Sequence, residues 1–259
     1  MTKLPVLLSI PHGGTDIPTE IASRVCITPK DKFEDGDALT REIYGIKDEV
    51  LAFVEGNIAR AFVDLNRDVT DRPPKNPDGV VKSMTCLGKP IYHSGKELDD
   101  ELTEVLLKKY YHPYHGMIRE TLDSNREIKL MLDCHTMEAV GPKISPDPGK
   151  KRPKFCLGSN FGKSCPEEMV QRMADCIRKA FELDKEEVVI NNPFAGGHIT
   201  RTYGNEPIPC IQIEMSRALY LSKPWFDSEN LKVLPERLNQ LQNSFLKALK
   251  AYFVQPFDK

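Results

Sequence analysis

Short apolar runs alternating with longer amphipathic stretches extend along most of this chain, and that alternation is what most restricts its fold. It is the signature of an α/β layered architecture. The runs Val6–Ile10, Asn57–Leu65, Lys129–Cys134, Lys154–Leu157, Glu187–Ile190 and Pro209–Met215 are expected to be strands. Several are continuous Val/Ile/Leu segments with no polar alternation, which predicts burial on both faces and a mostly parallel sheet. Helices are expected over Asp37–Glu55, Glu97–Asn125, Pro166–Leu183 and Pro235–Phe253. The first carries Leu39, Ile43, Ile46 and Val50 at helical spacing, the last Leu238, Leu241, Phe245 and Leu249, stripes that read as core packing.

The segments 68–90 and 141–153 are rich in Pro and Gly and read as long loops, which in a compact domain usually serve function. No repeat or composition break divides the chain, so residues 1–259 read as a single catalytic domain. A net charge of −2 offers no field for a polyanion, which argues against a nucleic-acid partner. The seven cysteines are odd in number and show no C-x-x-C pair, which disfavours both a disulfide framework and a cysteine-type zinc site. The opening apolar run is too short for a secretory signal, and no stretch reaches the ~20 apolar residues of a membrane span. The expectation is a cytoplasmic protein without a membrane partner.

Two histidines stand where such a sheet presents chemistry. His12, in Pro11-His12-Gly13-Gly14, follows the first strand, and His135 follows a strand that closes on Asp133-Cys134. Open α/β sheets bind ligands at the carboxyl ends of their strands. Two histidines ending two strands make a natural start for a metal site, with Asp133 on the same face as His135 able to orient a ligand. Cys134 faces the other way and reads as a core thiol rather than the partner of a catalytic histidine. A third ligand would come from Glu34, Asp35 or Asp37, although Asp37 also fits a plain helix N-cap.

The stretch Arg60 to Asp68 contains Asn66-Arg67, suited to gripping a carboxylate, or else a strand end salt-bridged by Asp64 or Asp68. Gln212 and Glu214 share a face near the end of an apolar strand. A carboxylate in a buried site has a raised pKa and suits a general base, or it pairs with a nearby arginine. Gly196-Gly197 precedes His198 and Arg201 in a loop-like segment where the backbone can approach a ligand.

Taken in order, Ser9-Ile10-Pro11-His12-Gly13-Gly14, Arg60 with Val63 through Asp68, Pro113-Tyr114-His115, Asp133-Cys134-His135-Thr136, Asn192 through Gly197 with Arg201 through Gly204, and Gln212-Ile213-Glu214 resemble the N-formylglutamate amidohydrolase family. That family is similar in fold to zinc carboxypeptidases and to the aspartoacylase and succinylglutamate desuccinylase group. The resemblance implies a three-layer fold with a central mixed, mostly parallel sheet flanked by helices, and one Zn²⁺ at its carboxyl edge. It implies hydrolysis of an N-acyl amino acid such as N-formyl-L-glutamate, a reaction of histidine degradation. By position it assigns the metal to His12, Asp37 and His135, the base to Glu214 and the substrate carboxylate to Asn66 with Arg67; beside these, Arg60 is expected to stabilise the oxyanion with the metal and Arg201 to help bind the carboxylates. The His-x-x-Glu motif of the carboxypeptidases is not copied, since Thr15 stands where the Glu would be.

Overall fold

The computed structural model describes residues 2–143 and 145–254. Six strands form one sheet: β1 (Leu4–Ile10), β2 (Val50–Glu55), β3 (Leu130–Met137), β4 (Phe155–Gly158), β5 (Val188–Ile190) and β6 (Cys210–Ser216). Their spatial order is β2-β1-β3-β6-β4-β5. All neighbours run parallel except β4 and β6, so the sheet is mixed and mostly parallel, as expected. Every residue of β3 and of β6 is buried, which is why those runs are apolar without alternation.

Helices cover both faces. On one side α2 (Thr40–Tyr44), α5 (Glu167–Phe181) and α7 (Pro235–Val254) enclose a core that includes Leu8, Leu132, Ile213 and Phe245. On the other, α3 (Asp100–Leu106), a π-helical turn (Leu107–Tyr111) and α4 (His112–Ser124) enclose one around Leu7, Phe62, Ile118 and Met131. The odd- and even-numbered positions of β1 therefore feed different cores, the period-2 consequence of a strand. Further elements are α1 (Pro29–Asp35), α6 (His198–Tyr203), three 3₁₀ turns (Ala22–Arg24, Lys185–Glu187 and Arg217–Leu219) and the small hairpin β7 (Phe226–Asp227) and β8 (Lys232–Val233).

Three sequence expectations are corrected. The helix expected over Asp37–Glu55 is the short α2, ended at Gly45, followed by strand β2. Its apolar stripe is nonetheless buried in one core, because Ile43, Ile46 and Val50 reach the same place by a different backbone path. The strand expected over Asn57–Leu65 is a chain of turns, with Phe62 N–H donating to Ala59 O. Its apolar residues are buried all the same, and burial alone does not separate a turn-rich wrap from a strand. The helix expected over Glu97–Asn125 is interrupted by the π turn at Leu107–Tyr111.

Candidate active site

His12 leaves β1 two residues past its end, at the carboxyl edge of the sheet. Gly14 is required there by close approach: a Cβ would fall 2.3 Å from Asn57 O. Asp37 arrives on the turn after α1, where its N–H donates to His12 O (3.2 Å). Leu39 completes that turn in the left-handed region (φ +64°), a conformation costing an L-residue about 1–2 kcal/mol. His135 lies in β3 beside β1.

These three side chains converge. Their ligating atoms lie within 4.8 Å of one another, and all three residues are buried. Asp37 Oδ2 is 2.9 Å from His135 Nδ1 and 3.5 Å from His12 Nδ1. The N-cap account of Asp37 does not hold, because its carboxylate faces the histidines, Thr136 N–H (3.2 Å) and Arg217 Nη2 (3.4 Å) instead of a helix end. Glu34 points elsewhere, toward Lys30 at 3.8 Å, with its side chain 40% exposed.

Each histidine has a carboxylate behind it. His12 Nε2 is 2.7 Å from Asp64 Oδ1, and His135 Nε2 is 3.0 Å from Asp133 Oδ1. Burial pushes the Asp37 carboxyl up, but the two histidines outweigh it and hold it well below the usual carboxylate range. Burial alone would lower the His135 pKa, yet Asp133 and Asp37 raise it well above the ordinary imidazole value. Two Nδ1 atoms facing one carboxylate oxygen, with both opposite ring nitrogens backed by acids, form a buried N,N,O donor set suited to a divalent cation.

Glu214, on β6, is the register partner of His135 and is buried beside it. Gln212 Nε2 donates to its Oε1 at 2.7 Å, while Gln212 Oε1 accepts from Gly197 N–H. Burial, reinforced by Asp37 and Asp133 against the opposing charge of His135, pushes the Glu214 carboxyl up to about 7.

Asp64 joins the histidine site to the next group. Its Oδ1 also accepts from Asn66 N–H (2.9 Å), and its Oδ2 accepts from Arg60 Nε (3.0 Å). Arg67 ion-pairs with Asp78 (3.0 Å) and lies 3.6 Å from Asp64 and 3.7 Å from Asp71, so the salt-bridged account of this arginine holds in part, with partners other than Asp68. Asn66 Oδ1 accepts from Ile199 N–H (2.7 Å), which leaves Nδ2 3.1 Å from His135 Nε2. A Cβ on Gly197 would meet that amide at 2.3 Å, so the Gly-Gly pair makes room for Asn66.

A cavity of about 530 Å³ opens over these groups, lined by His12, Asp37, His135 and Glu214 and by five arginines, Arg60, Arg67, Arg152, Arg201 and Arg217. Four have acidic partners: Arg60 and Arg67 as above, Arg152 with Asp147 (2.7 Å), and Arg217 with Glu138 (2.5 Å). Arg201, exposed at the rim on α6, has none among the described residues. His198 is drawn off to Asp68 (3.8 Å) and the ring of His115, away from the cavity. Cys134 is fully buried in the opposite core, where burial raises its thiol pKa well above the ordinary value, so no thiolate faces the site.

Two contributors escaped the sequence reading. From sequence Asp64 is legible only as a salt-bridge partner, because its segment has the apolar pattern of a strand. Arg217 is buried just past β6, with its guanidinium on Glu34 O (3.2 Å), Gly36 O and the Asp37 carboxylate. Its signal was available: a basic residue at the carboxyl end of the Glu214 strand.

The sequence matches the family model for N-formylglutamate amidohydrolase over residues 4–221. It is 28% identical over 229 residues to an N-formylglutamate deformylase of Pseudomonas putida, covering 85% of this chain and 83% of the relative. The corresponding Pseudomonas aeruginosa protein is 27% identical, with 85% and 84% covered. Among solved structures, an N-formylglutamate amidohydrolase from Ralstonia eutropha superposes with a TM-score of 0.79 at 20% identity, over 96% of this chain and 93% of that one. A gene product of Agrobacterium tumefaciens gives 0.64 at 18%, over 96% and 91%. The structural likenesses establish a shared fold, and the sequence match over most of the length establishes kinship: the chain belongs to the N-formylglutamate amidohydrolase family.

Proposed function

We propose that this chain hydrolyses the amide of N-formyl-L-glutamate, giving formate and glutamate, with one zinc ion held by His12, Asp37 and His135. The observation that carries the reading is the convergence of those three buried donors beside Glu214, whose carboxyl is pushed up to about 7, within a member of this family. When bound, the ion lowers the pKa of water toward about 7 and polarises the scissile carbonyl.

The chain's own groups then do the following. The Glu214 carboxylate accepts a proton from the attacking water, as Gln212 holds its Oε1 in place. The same proton passes to the leaving nitrogen as the carbon–nitrogen bond breaks. Arg60, itself oriented by Asp64, donates to the oxyanion that develops on the carbonyl oxygen, a kind of contact worth about 3 kcal/mol. Arg201 receives a substrate carboxylate with its charge uncompensated, whereas Arg67, already shared with Asp78, contributes with Asn66 through directed N–H groups.

A second reading follows from size. A cavity of about 530 Å³ lies within the range for drug-sized ligands, so a longer acyl group on the same amino acid is the alternative substrate. Steady-state hydrolysis of N-formyl-, N-acetyl- and N-succinyl-glutamate and aspartate, with and without chelator, separates the two. Activity highest on the formyl compound and abolished by chelation is expected. Full activity in protein stripped of divalent metal would overturn the mechanism.

A further inference from the structure

The element least explained by that chemistry is the buried ring of His115. It follows the π turn, a feature that in other helices is frequent at functional sites. Its Nε2 lies 3.0 Å from Leu65 O, a pure acceptor, so that nitrogen carries the hydrogen. Nδ1 then accepts from Tyr203 Oη at 2.8 Å, the shorter of that hydroxyl's two contacts with this residue, the other being His115 O at 3.2 Å. Burial lowers the His115 pKa to about 4, in keeping with this single neutral tautomer.

The two bonds join two segments that both bear substrate groups. Leu65 immediately precedes Asn66 and Arg67, and Tyr203 closes α6, which carries Arg201. Tyr111 Oη donates to Arg67 O at 2.8 Å, so the carbonyls on either side of Asn66 are both gripped from this helical run. Ile199 N–H on Asn66 Oδ1 supplies a second tie between α6 and the same loop.

We propose that His115 is a positioning residue for substrate recognition: the chain Tyr203 O–H to His115 Nδ1, His115 Nε2–H to Leu65 O fixes Arg201 relative to Asn66-Arg67 so that the two sides together fit an N-acyl amino dicarboxylate. This rests on the functional reading above. A ring that merely fills the core would make the same van der Waals contacts without selecting two carboxylates over one.

The test compares N-formyl-L-glutamate with N-formyl-L-glutamine, which replaces the side-chain carboxylate by a neutral amide of similar shape. Tyr203→Phe removes one hydroxyl at nearly constant volume, His115→Phe removes both ring bonds while leaving His115 O to accept from Tyr203, and His115→Gln can restore the ring's bonds. The expected result is a KM for the diacid raised roughly tenfold in Tyr203→Phe, with kcat within about twofold of wild type. KM, or Ki where turnover is absent, for the glutamine compound stays unmoved, and His115→Gln recovers most of the selectivity that His115→Phe loses. Equal changes for both compounds, a loss confined to kcat, or no change in Tyr203→Phe would overturn the proposal while leaving the functional reading intact. Wild-type protein inactive on the diacid would overturn that reading and this inference with it. Should His115→Phe fail to fold, the Tyr203→Phe comparison decides alone.

Discussion

His12 Nε2 and Asp64 Oδ1 lie 2.7 Å apart, both buried, so the ring's other nitrogen is turned toward Asp37 and His135. A carboxylate in that position fixes the tautomer and makes the imidazole a better ligand. Such partners typically account for 10–100-fold in metal affinity. Asp64→Asn is therefore expected to weaken zinc binding by roughly that factor, read by competition with a chromophoric chelator. Affinity equal to wild type would remove His12 from the ligand set.

In the proposed mechanism Glu214 carries the pH dependence. As a base it works only when ionised, so its raised pKa makes activity rise with pH rather than fall. The acidic limb of kcat/KM belongs between the ordinary glutamate value of about 4.3 and about 7, since a bound cation adds positive charge and draws the limb downward. Glu214→Gln is expected to retain zinc and lose roughly 10²–10⁴ in kcat. A profile flat down to pH ~4, below the normal carboxylate range, or an active Gln variant, would sink the assignment.

Arg201 is the pocket arginine with no acidic partner among the described residues, so removing its charge leaves no protein carboxylate stranded. A hydrogen bond to a charged group is worth about 1.5–3 kcal/mol. Arg201→Gln is expected to raise KM for N-formyl-L-glutamate by roughly 10–100-fold with unaltered thermal stability. A melting temperature that drops with KM unchanged would make it a structural residue.

Lys82 is a different case. Its side chain is fully buried between Asp35 (3.0 Å) and Asp78 (2.6 Å), and Asp78 also holds Arg67. Burial raises the Asp35 carboxyl, but Lys82 and Arg60 outweigh it and keep it low. Lys82→Met leaves the buried Asp35 without its ion-pair partner while Asp78 keeps Arg67, at a cost of about 3–5 kcal/mol, visible as a lower denaturant midpoint. A loss under ~1 kcal/mol, the scale of an exposed pair, would mean that water reaches those carboxylates.

Cys134 separates this chemistry from a thiol mechanism. Cys134→Ala is expected to turn over like wild type and to lose roughly 1 kcal/mol of stability from the core. Inactivation of the wild type by a thiol reagent, absent in the alanine variant, would reopen the cysteine route.

Much of the site was legible because a parallel sheet shows its chemistry where apolar runs stop. His12, His135 and Glu214 each stand at such an end, and all line the cavity. Asp37 was legible only with the help of family resemblance, since an acid before a helical pattern is equally a cap. Asp64 was obscured because Ile58, Phe62, Val63 and Leu65 are as buried as strand residues while their backbone turns. The roles of Arg201 and Arg67 diverge because of acids at Asp71 and Asp78, partners whose proximity no spacing announces.

The placement of the three donors also bears on how the protein matures. His12 and Asp37 lie on either side of α1, but His135 joins them only once β3 has aligned with β1, after α3 and α4 have been laid down between. The unfolded chain has no preformed nest for an ion and instead exposes seven cysteines and six histidines that bind one haphazardly. Under the proposed mechanism, zinc would therefore meet its complete donor set only in the folded sheet, where β3 lies beside β1.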